Sequence, residues 1–589
     1  MTIRLVPLGA LLLLLLGPAC QTGMEPAAAT TPAPAPAPTP TPAPAPKQDP
    51  IARLIALAQK DNRVMQHLRH LTKDIGPRLT GSEHYDRAAQ WCLEQFQSWG
   101  LDARLETWGE FPVRCDRGVQ RGRELKPEPR DLVLLTSAWT HGTQGLVRAR
   151  ACLEPADEAE LEAHKQEYAG AWIVRRSKRP VASVRKALDA ALEAKPAAGF
   201  VRSFGGELLQ MGGRHDRTLE QIEKLPLDVF LRGDQYEAIV ASLEQGQPVE
   251  LEFEIENRLV AGPAPCTNVV ADLPGSEFPD QYVIAGGHLD SWDGAEGAQD
   301  NGTGVASTLE AARLIAGLGL KPRRTLRFVL FGGEEEGLFG SLGYLKTHEA
   351  ELPGISAVLI HDGGASPLAG LDVTYAMFDD VRGVLAPLAG LDRIRPVTVN
   401  ERLGLVNSGD SDHAPFLGQN AAPAFFWNQS GAGYDHVHHT QFDTYETVAP
   451  GDEEHNALVV AVAAFGLAQL DHPLDRTDMA PISPRRMGVL GFTGATVQQV
   501  LPEGRANMAG WQEGDVLLTV DGVEVRNREE IVRAVNEGGP RKTIRLRRGS
   551  EVIDTELDWS NDPDEPERSA RAGRREAWIK ARPHAAPAR

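Results

Sequence analysis

The sequence predicts an α/β protein: a mostly parallel twisted sheet flanked by helices, with an inserted α/β accessory domain and a C-terminal β-rich domain. Three observations point there. Apolar runs at 282–286, 325–331, 355–360 and 423–427 have the length of buried strands. Helical patterns lie between them at 303–318, 338–350 and 452–469, and strands alternating with helices imply a parallel sheet covered on both faces. Each run gives way to glycine or polar residues, at the strand ends where open α/β sheets place their ligands.

Residues 1–20 have an early Arg4, an apolar Leu11–Leu16 stretch and small residues behind it, the shape of a secretory signal peptide. Ala19-Cys20 resembles a bacterial lipoprotein cleavage site, although Gly17 stands where such sites usually have Leu. Lipidation at Cys20, simple export and an uncleaved anchor all stay open; each puts the body outside the cytoplasm, as an outer-membrane lipoprotein or a periplasmic or secreted protein. Residues 21–49 are mostly Pro, Ala and Thr, which favour extended conformations and read as a linker.

From residue 50 to about 115 the chain turns helical, with Ile51, Leu54, Ile55 and Leu57 on one face and Ala88, Ala89, Cys92, Leu93 and Phe96 on another. Between these helices lies Ile75-Gly76-Pro77-Arg78-Leu79-Thr80-Gly81-Ser82, and residues 101–112 alternate like a strand. Residues 116–255 have a different texture. Strand-like pieces (132–135, 170–174, 198–201, 227–231) alternate with polar helical pieces (156–168, 181–194), and no cluster of ligating residues appears among them. This stretch reads as an insert, after which the first domain resumes over 256–472. Residues 484–560 form a small β-rich unit with an Asp521-Gly522 tight turn and a helix at 528–536. The polar tail, 561–589, is expected to be disordered.

The net charge of −20 argues against a nucleic-acid partner, which needs a basic face. Of the five cysteines none forms a C-x-x-C pair, so a thiolate zinc site is not expected. With Cys20 set apart, four remain, enough for one or two disulfides whose pairing the sequence does not specify.

The chemistry gathers at the strand ends. The first run leads to His288, Asp290 and, after a loop, Asp300-Asn301-Gly302-Thr303-Gly304. The second leads to Gly332-Gly333-Glu334-Glu335-Glu336, the third to His361-Asp362, and the fourth to His436, His438, His439 and Asp443. Taken singly, His288 could be structural, the Glu triplet a solvated helix face, and the His cluster a surface patch. Four such events on successive strands favour a metal site. Imidazole mixed with carboxylate suits Zn²⁺ or a similar ion, and the donors exceed what one four-coordinate zinc needs; two metals sharing a carboxylate would use them all. A dinucleotide-binding turn at Asn301–Gly304 is disfavoured, because the third glycine is missing and Asp300 would repel a pyrophosphate.

GGHLDSWD, AQDNGTG, EEEGLFGS, HDGG and HHTQFDT together resemble the M28 family of co-catalytic zinc exopeptidases, most nearly its carboxypeptidase Q-like branch, and IGPRLTGS matches the family's N-terminal part. The resemblance spans residues 50–470, and 120–255 is similar to the protease-associated insert often found in that family. It implies two Zn²⁺ ions. His288 and Asp362 would hold one, Glu335 and His439 the other, Asp300 would bridge them, and Glu334 would be the general base. His438 competes with His439, which fits by standing four residues before Asp443. Asp290 would accept the second ring proton of His288.

The C-terminal unit resembles a PDZ domain through Gly488–Phe492 and Ala509–Leu517, implying an extended peptide or C-terminus as its ligand. The activity implied is hydrolysis of peptides from one end, as an aminopeptidase or dipeptidase. Alternatives are carboxypeptidase-type release of C-terminal residues, a PDZ-containing binding protein with an inactive peptidase domain, and a hydrolase of another amide.

Overall fold

The computed structural model describes residues 49–407, 409–431 and 433–581. The expected signal peptide, Cys20 and the linker up to residue 48 lie outside the described residues, as does the end of the tail from 582.

Four parallel strands form the centre, in the order Ala424–Phe426, Ile355–Ile360, Phe278–His288, Arg324–Phe331. Arg324–Phe331 is buried along its whole length, as a strand covered on both faces should be. Helices Thr303–Gly317, Phe339–Thr347 and Pro450–Ala468 follow strands in the chain and carry the rest of this core. The first of them starts one residue after Gly302 and the last packs against it. The result is a mixed α/β layer architecture with a central sheet flanked by helices.

Beyond Arg324–Phe331 the sheet turns antiparallel. Glu250–Leu273 pairs with Arg324–Phe331, and also with Asp102–Lys126 along nearly its full length. These two strands of 24 and 25 residues could each span about 80 Å at about 3.3 Å per residue. Four register shifts bend them on the way. Their far halves belong to the insert, whose strands Val147–Leu153, Trp172–Val174, Gly199–Arg202 and Asp228–Leu231 continue the same sheet. The expected boundaries at 115/116 and 255/256 therefore fall inside continuous strands. The insert still has its own apolar core, around Trp172, Val201, Val229, Leu251 and Phe253.

The C-terminal unit is a separate antiparallel sheet in which Val489–Thr493 forms one end and Glu551–Asp558 the other. Asp521 and Gly522 both take positive φ, 50° and 80°, and turn the chain between Val520 and Val523 as two-residue hairpins require.

Two expectations need correction. Cys92, Cys115, Cys152 and Cys266 are all free thiols; the strand and helix positions they occupy leave no two paired. The tail read as disordered is a helix over Glu565–Ala581. Its Ala, Glu and Arg residues are strong helix formers, and its arginines find buried acceptors. Arg571 donates to the carbonyls of Leu403, Asp478 and Ala480, Arg574 pairs with Asp478 at 2.5 Å, and the Trp578 ring packs on Tyr375. Composition alone could not show where those carbonyls would be.

Candidate metal centre

His288 ends its strand, and the backbone around it is packed too closely for side chains. A Cβ on Gly287 would lie 2.8 Å from the carbonyl oxygen of His361, and one on Gly304 only 2.1 Å from the same atom. That carbonyl also accepts a hydrogen bond from Asn301 Nδ2 at 2.8 Å. Two strand ends and the start of the 303–317 helix are thereby locked together.

Arg78 straps the loop that follows. Buried in the core, it donates to the carbonyls of Leu289, Glu296 and Gly297 and, through its backbone N–H, to Ser291 Oγ. Asp443 holds the loop's far end: its carboxylate accepts from the backbone N–H of Gln299 at 2.6 Å and of Asp300 at 3.2 Å.

The structure brings the expected side chains to one place. His288 Nε2 lies 3.0 Å from Asp362 Oδ1 and 3.2 Å from Asp300 Oδ1. On the other side, His439 Nε2 lies 3.2 Å from Asp300 Oδ2 and 2.8 Å from Glu335 Oε2. Asp300 thus offers one oxygen to each group. Glu334 Oε2 stands slightly apart, 3.9 Å from His288 Nε2. His438 approaches Asp300 Oδ2 as well, at 3.7 Å, and stacks on His439 with ring centroids 3.8 Å apart. Of the two, His439 is the one that also reaches Glu335.

Burial and charge crowding set the electrostatics. Burial pushes the Glu334 carboxyl well above its ordinary value, and with Asp300 nearby it pushes Glu335 up to about 7. Burial raises Asp362 as well. Burial opposes ionisation of Asp300 too, but hydrogen bonds from His288 and His439 hold its pKa below the usual carboxylate range. His439 rises to about 10 against its burial, because Asp300 and Glu335 hold its proton. Four carboxylates facing two imidazoles make a site short of positive charge. Among the described residues, donor atoms of His288, Asp300 and Asp362 lie within 4.8 Å of one another, and so do those of Asp300, His438 and His439. Such a donor set fits zinc.

Asp290 is placed differently from expectation. The nearest acceptor for His288 Nδ1 is the backbone oxygen of Asp290, at 3.0 Å, while its carboxylate lies at 3.6 Å. The carboxylate instead accepts from Thr80 Oγ1 and from the Glu335 N–H. It steers the Glu335 segment, and the backbone fixes the imidazole tautomer.

Arg78, Thr80 and Asn301 were not read as site residues, although all three sit in quoted motifs; their acceptors lie up to 219 positions away in sequence. Nor did the sequence show that the insert reaches the centre. Met211 N–H donates to the His439 carbonyl at 2.8 Å, and His439 takes a left-handed backbone, φ 55°, which surrounding structure must hold in place.

Residues 268–464 match the model of peptidase family M28. Carboxypeptidase Q from Mus musculus is 26% identical over 441 residues, 72% of this chain and 90% of that protein. Leupeptin-inactivating enzyme 1 from Streptomyces exfoliatus is 33% identical over 221 residues, 34% of this chain and 48% of that protein. Among solved structures, a peptidase M28 precursor from Shewanella amazonensis SB2B is similar with a TM-score of 0.52 at 28% identity, covering 74% of this chain and 98% of that one. The family match contains His288, Asp300, Glu334, Glu335, Asp362 and His439; the insert and the C-terminal sheet lie outside it.

Proposed function

We propose that the core of this chain, a zinc-dependent exopeptidase domain acting on peptides, works with two zinc ions and uses Glu334 as its general base. His288 and Asp362 would hold one ion, Glu335 and His439 the other, with Asp300 shared between them. The observation that carries this reading is the division of Asp300: Oδ1 faces His288 at 3.2 Å and Oδ2 faces His439 at 3.2 Å.

Zinc bound there would polarise the scissile carbonyl and acidify a water molecule. The protein's own part is positional. Asp443 and Asn301 fix the Asp300 loop, Asp290 fixes the Glu335 segment, and the Asp290 carbonyl directs the free nitrogen of His288 towards the site. Glu334 lies beside these donors rather than among the shortest contacts. A carboxylate so placed can take a proton from water at Oε2 and return it to the departing amine. Burial raises its proton affinity, as that exchange requires.

Elemental analysis of the purified chain tests the count. Two zinc ions per chain are expected, and both should weaken in D300N; a single ion that survives D300N would overturn the shared-ligand reading. The end of the peptide attacked is settled by assaying free dipeptides, N-blocked peptides and aminoacyl amides side by side. We further assign the C-terminal sheet a peptide-binding role of PDZ type, since Val489–Thr493 lies at the sheet's end and, among the described residues, pairs only with Thr496–Val500. Export, with lipidation at Cys20, completes the proposal; mass spectrometry of the mature N-terminus tests it. No described helix is long and apolar enough to cross a membrane.

A further inference from the structure

The insert has a cavity of its own, about 650 Å³, whose lining includes none of the metal-centre residues. It opens at the carboxyl ends of two parallel strands, Trp172–Val174 and Gly199–Arg202, the ends at which α/β sheets take ligands. Arg175 follows the first strand and Arg202 closes the second. The helix Ala182–Ala194 starts at the cavity's edge with Ala182 in the lining, and its N-cap, Val181, supplies no side-chain acceptor. Its first backbone N–H groups carry the positive end of the helix dipole.

The charge there runs against the rest of the molecule. In a chain of net charge −20, the lining carries Arg175, Arg176, Arg179, Arg185, Lys186 and Arg202 against three acids. Three of these cations are already engaged: Arg175 with Glu154 at 2.6 Å, Arg176 with Glu160 at 3.1 Å, and Arg202 with Asp228 at 2.8 Å. Arg179, Arg185 and Lys186 have no ion-pair partner among the described residues. The Nε atoms of Arg175 and Arg185 are buried without a hydrogen-bond acceptor among the described residues. Buried donors are rarely left unmatched, so an acceptor supplied from outside is the missing partner. One wall is aromatic: Phe204 stacks on Phe230 at 4.4 Å, nearly parallel, with Phe204 51% exposed.

We propose that this cavity binds a small phosphate-bearing polyanion, held by Arg179, Arg185, Lys186 and the start of the 182–194 helix. Phosphate suits the site because several oxygens and at least two charges can meet three unpaired cations and uncapped backbone N–H groups together. The inference does not depend on the zinc reading, since no residue is shared. Inorganic polyphosphate and a nucleotide offer the same chemistry, and Phe204 separates them, because only the nucleotide has a planar group to lay on its face.

The test is calorimetric titration of the zinc-loaded full chain with pyrophosphate and, separately, ADP at low salt. One bound pyrophosphate per chain is expected, weakened at least about tenfold in R185Q/K186Q, with peptidase activity unchanged in that variant. ADP binding more tightly than pyrophosphate, and losing that advantage in F204A, would identify a nucleotide; equal binding would identify phosphate alone. Pyrophosphate could also meet the metal centre, so binding undiminished in R185Q/K186Q overturns the proposal. Absence of binding at about 1 mM, the weak end of useful affinity, overturns it too. R179Q, outside the helix, repeats the test should the helical variant fail to fold.

Discussion

Met211 donates its backbone N–H to the carbonyl oxygen of His439 at 2.8 Å. A residue of the accessory sheet's territory thus holds the backbone of a candidate zinc ligand. Next to it, Leu209 N–H donates to Gln441 Oε1, and Gln441 Nε2 donates to the Glu207 carbonyl, each at 2.8 Å. The insert is tied to the metal loop by a short run of hydrogen bonds, and His439 needs that support because its backbone is left-handed.

Gln441→Ala removes two of those bonds without touching a ligand. Outer hydrogen bonds of this kind tune metal affinity by about 10–100-fold. The zinc concentration supporting half-maximal peptidase rate should rise by about tenfold at least, with full rate restored in excess zinc. An activity-versus-zinc curve identical to that of the parent would deny the insert any positioning role.

Glu334→Gln keeps size and polarity but cannot take a proton. Its zinc content should match the parent, while turnover falls by about 10²–10⁴-fold, the span of general-base catalysis. Zinc analysis and peptide hydrolysis on one preparation give both numbers. Retained turnover would move the base elsewhere, with Glu336 of the same triplet the next carboxylate to try.

Glu453 ties stability to pH. It is fully buried in the first turn of the 450–468 helix, where Asn456 Nδ2 donates to it at 3.2 Å and its other oxygen has no hydrogen-bond partner among the described residues. Burial raises its pKa from 4.5 to about 8. The folded state therefore holds the proton more tightly than the unfolded chain. Its stability contribution is complete below pH 4.5, declines as pH rises towards about 8, and is lost above that. The interval corresponds to several kcal/mol at about 1.4 kcal/mol per pH unit. Glu453→Gln should therefore match the parent in denaturant unfolding at acid pH and exceed it at alkaline pH. Parallel profiles for the two proteins would rule the linkage out.

Arg571 anchors the terminal helix, donating to three main-chain carbonyls at 403, 478 and 480. Arg571→Ala leaves those carbonyls short of a donor, at about 1–3 kcal/mol for each that stays buried and unpaired. Limited proteolysis should then cut the connection near 475–485 faster, while peptidase activity on short substrates stays near the parent level. Equal cleavage rates would mean the helix is held by something else.

Some elements were legible because their cause is local. Ile355–Ile360 is a six-residue apolar run between Gly354 and His361, and the hairpin at Asp521-Gly522 follows from residues that tolerate positive φ. Other elements have no local cause. Glu551–Asp558 alternates weakly and is a strand because Arg541–Arg548 pairs with it along its length. Gly370–Thr374 and Thr398–Arg402 pair with each other, across the helix Phe378–Leu385, and neither run is apolar enough to stand out.

The sequence by itself determined which side chains could meet a metal, since each follows, directly or after a loop, a strand that must be buried and so must end at the same edge of one sheet. It also determined the alternation of strand and helix, through the spacing of apolar residues. Only the tertiary structure decided that Asp300 turns one oxygen to each histidine, that the Asp290 backbone serves His288, and that the insert grips the loop of His439. Those choices depend on directions of lone pairs and N–H groups brought together from distant parts of the chain, and side-chain identity carries no record of direction.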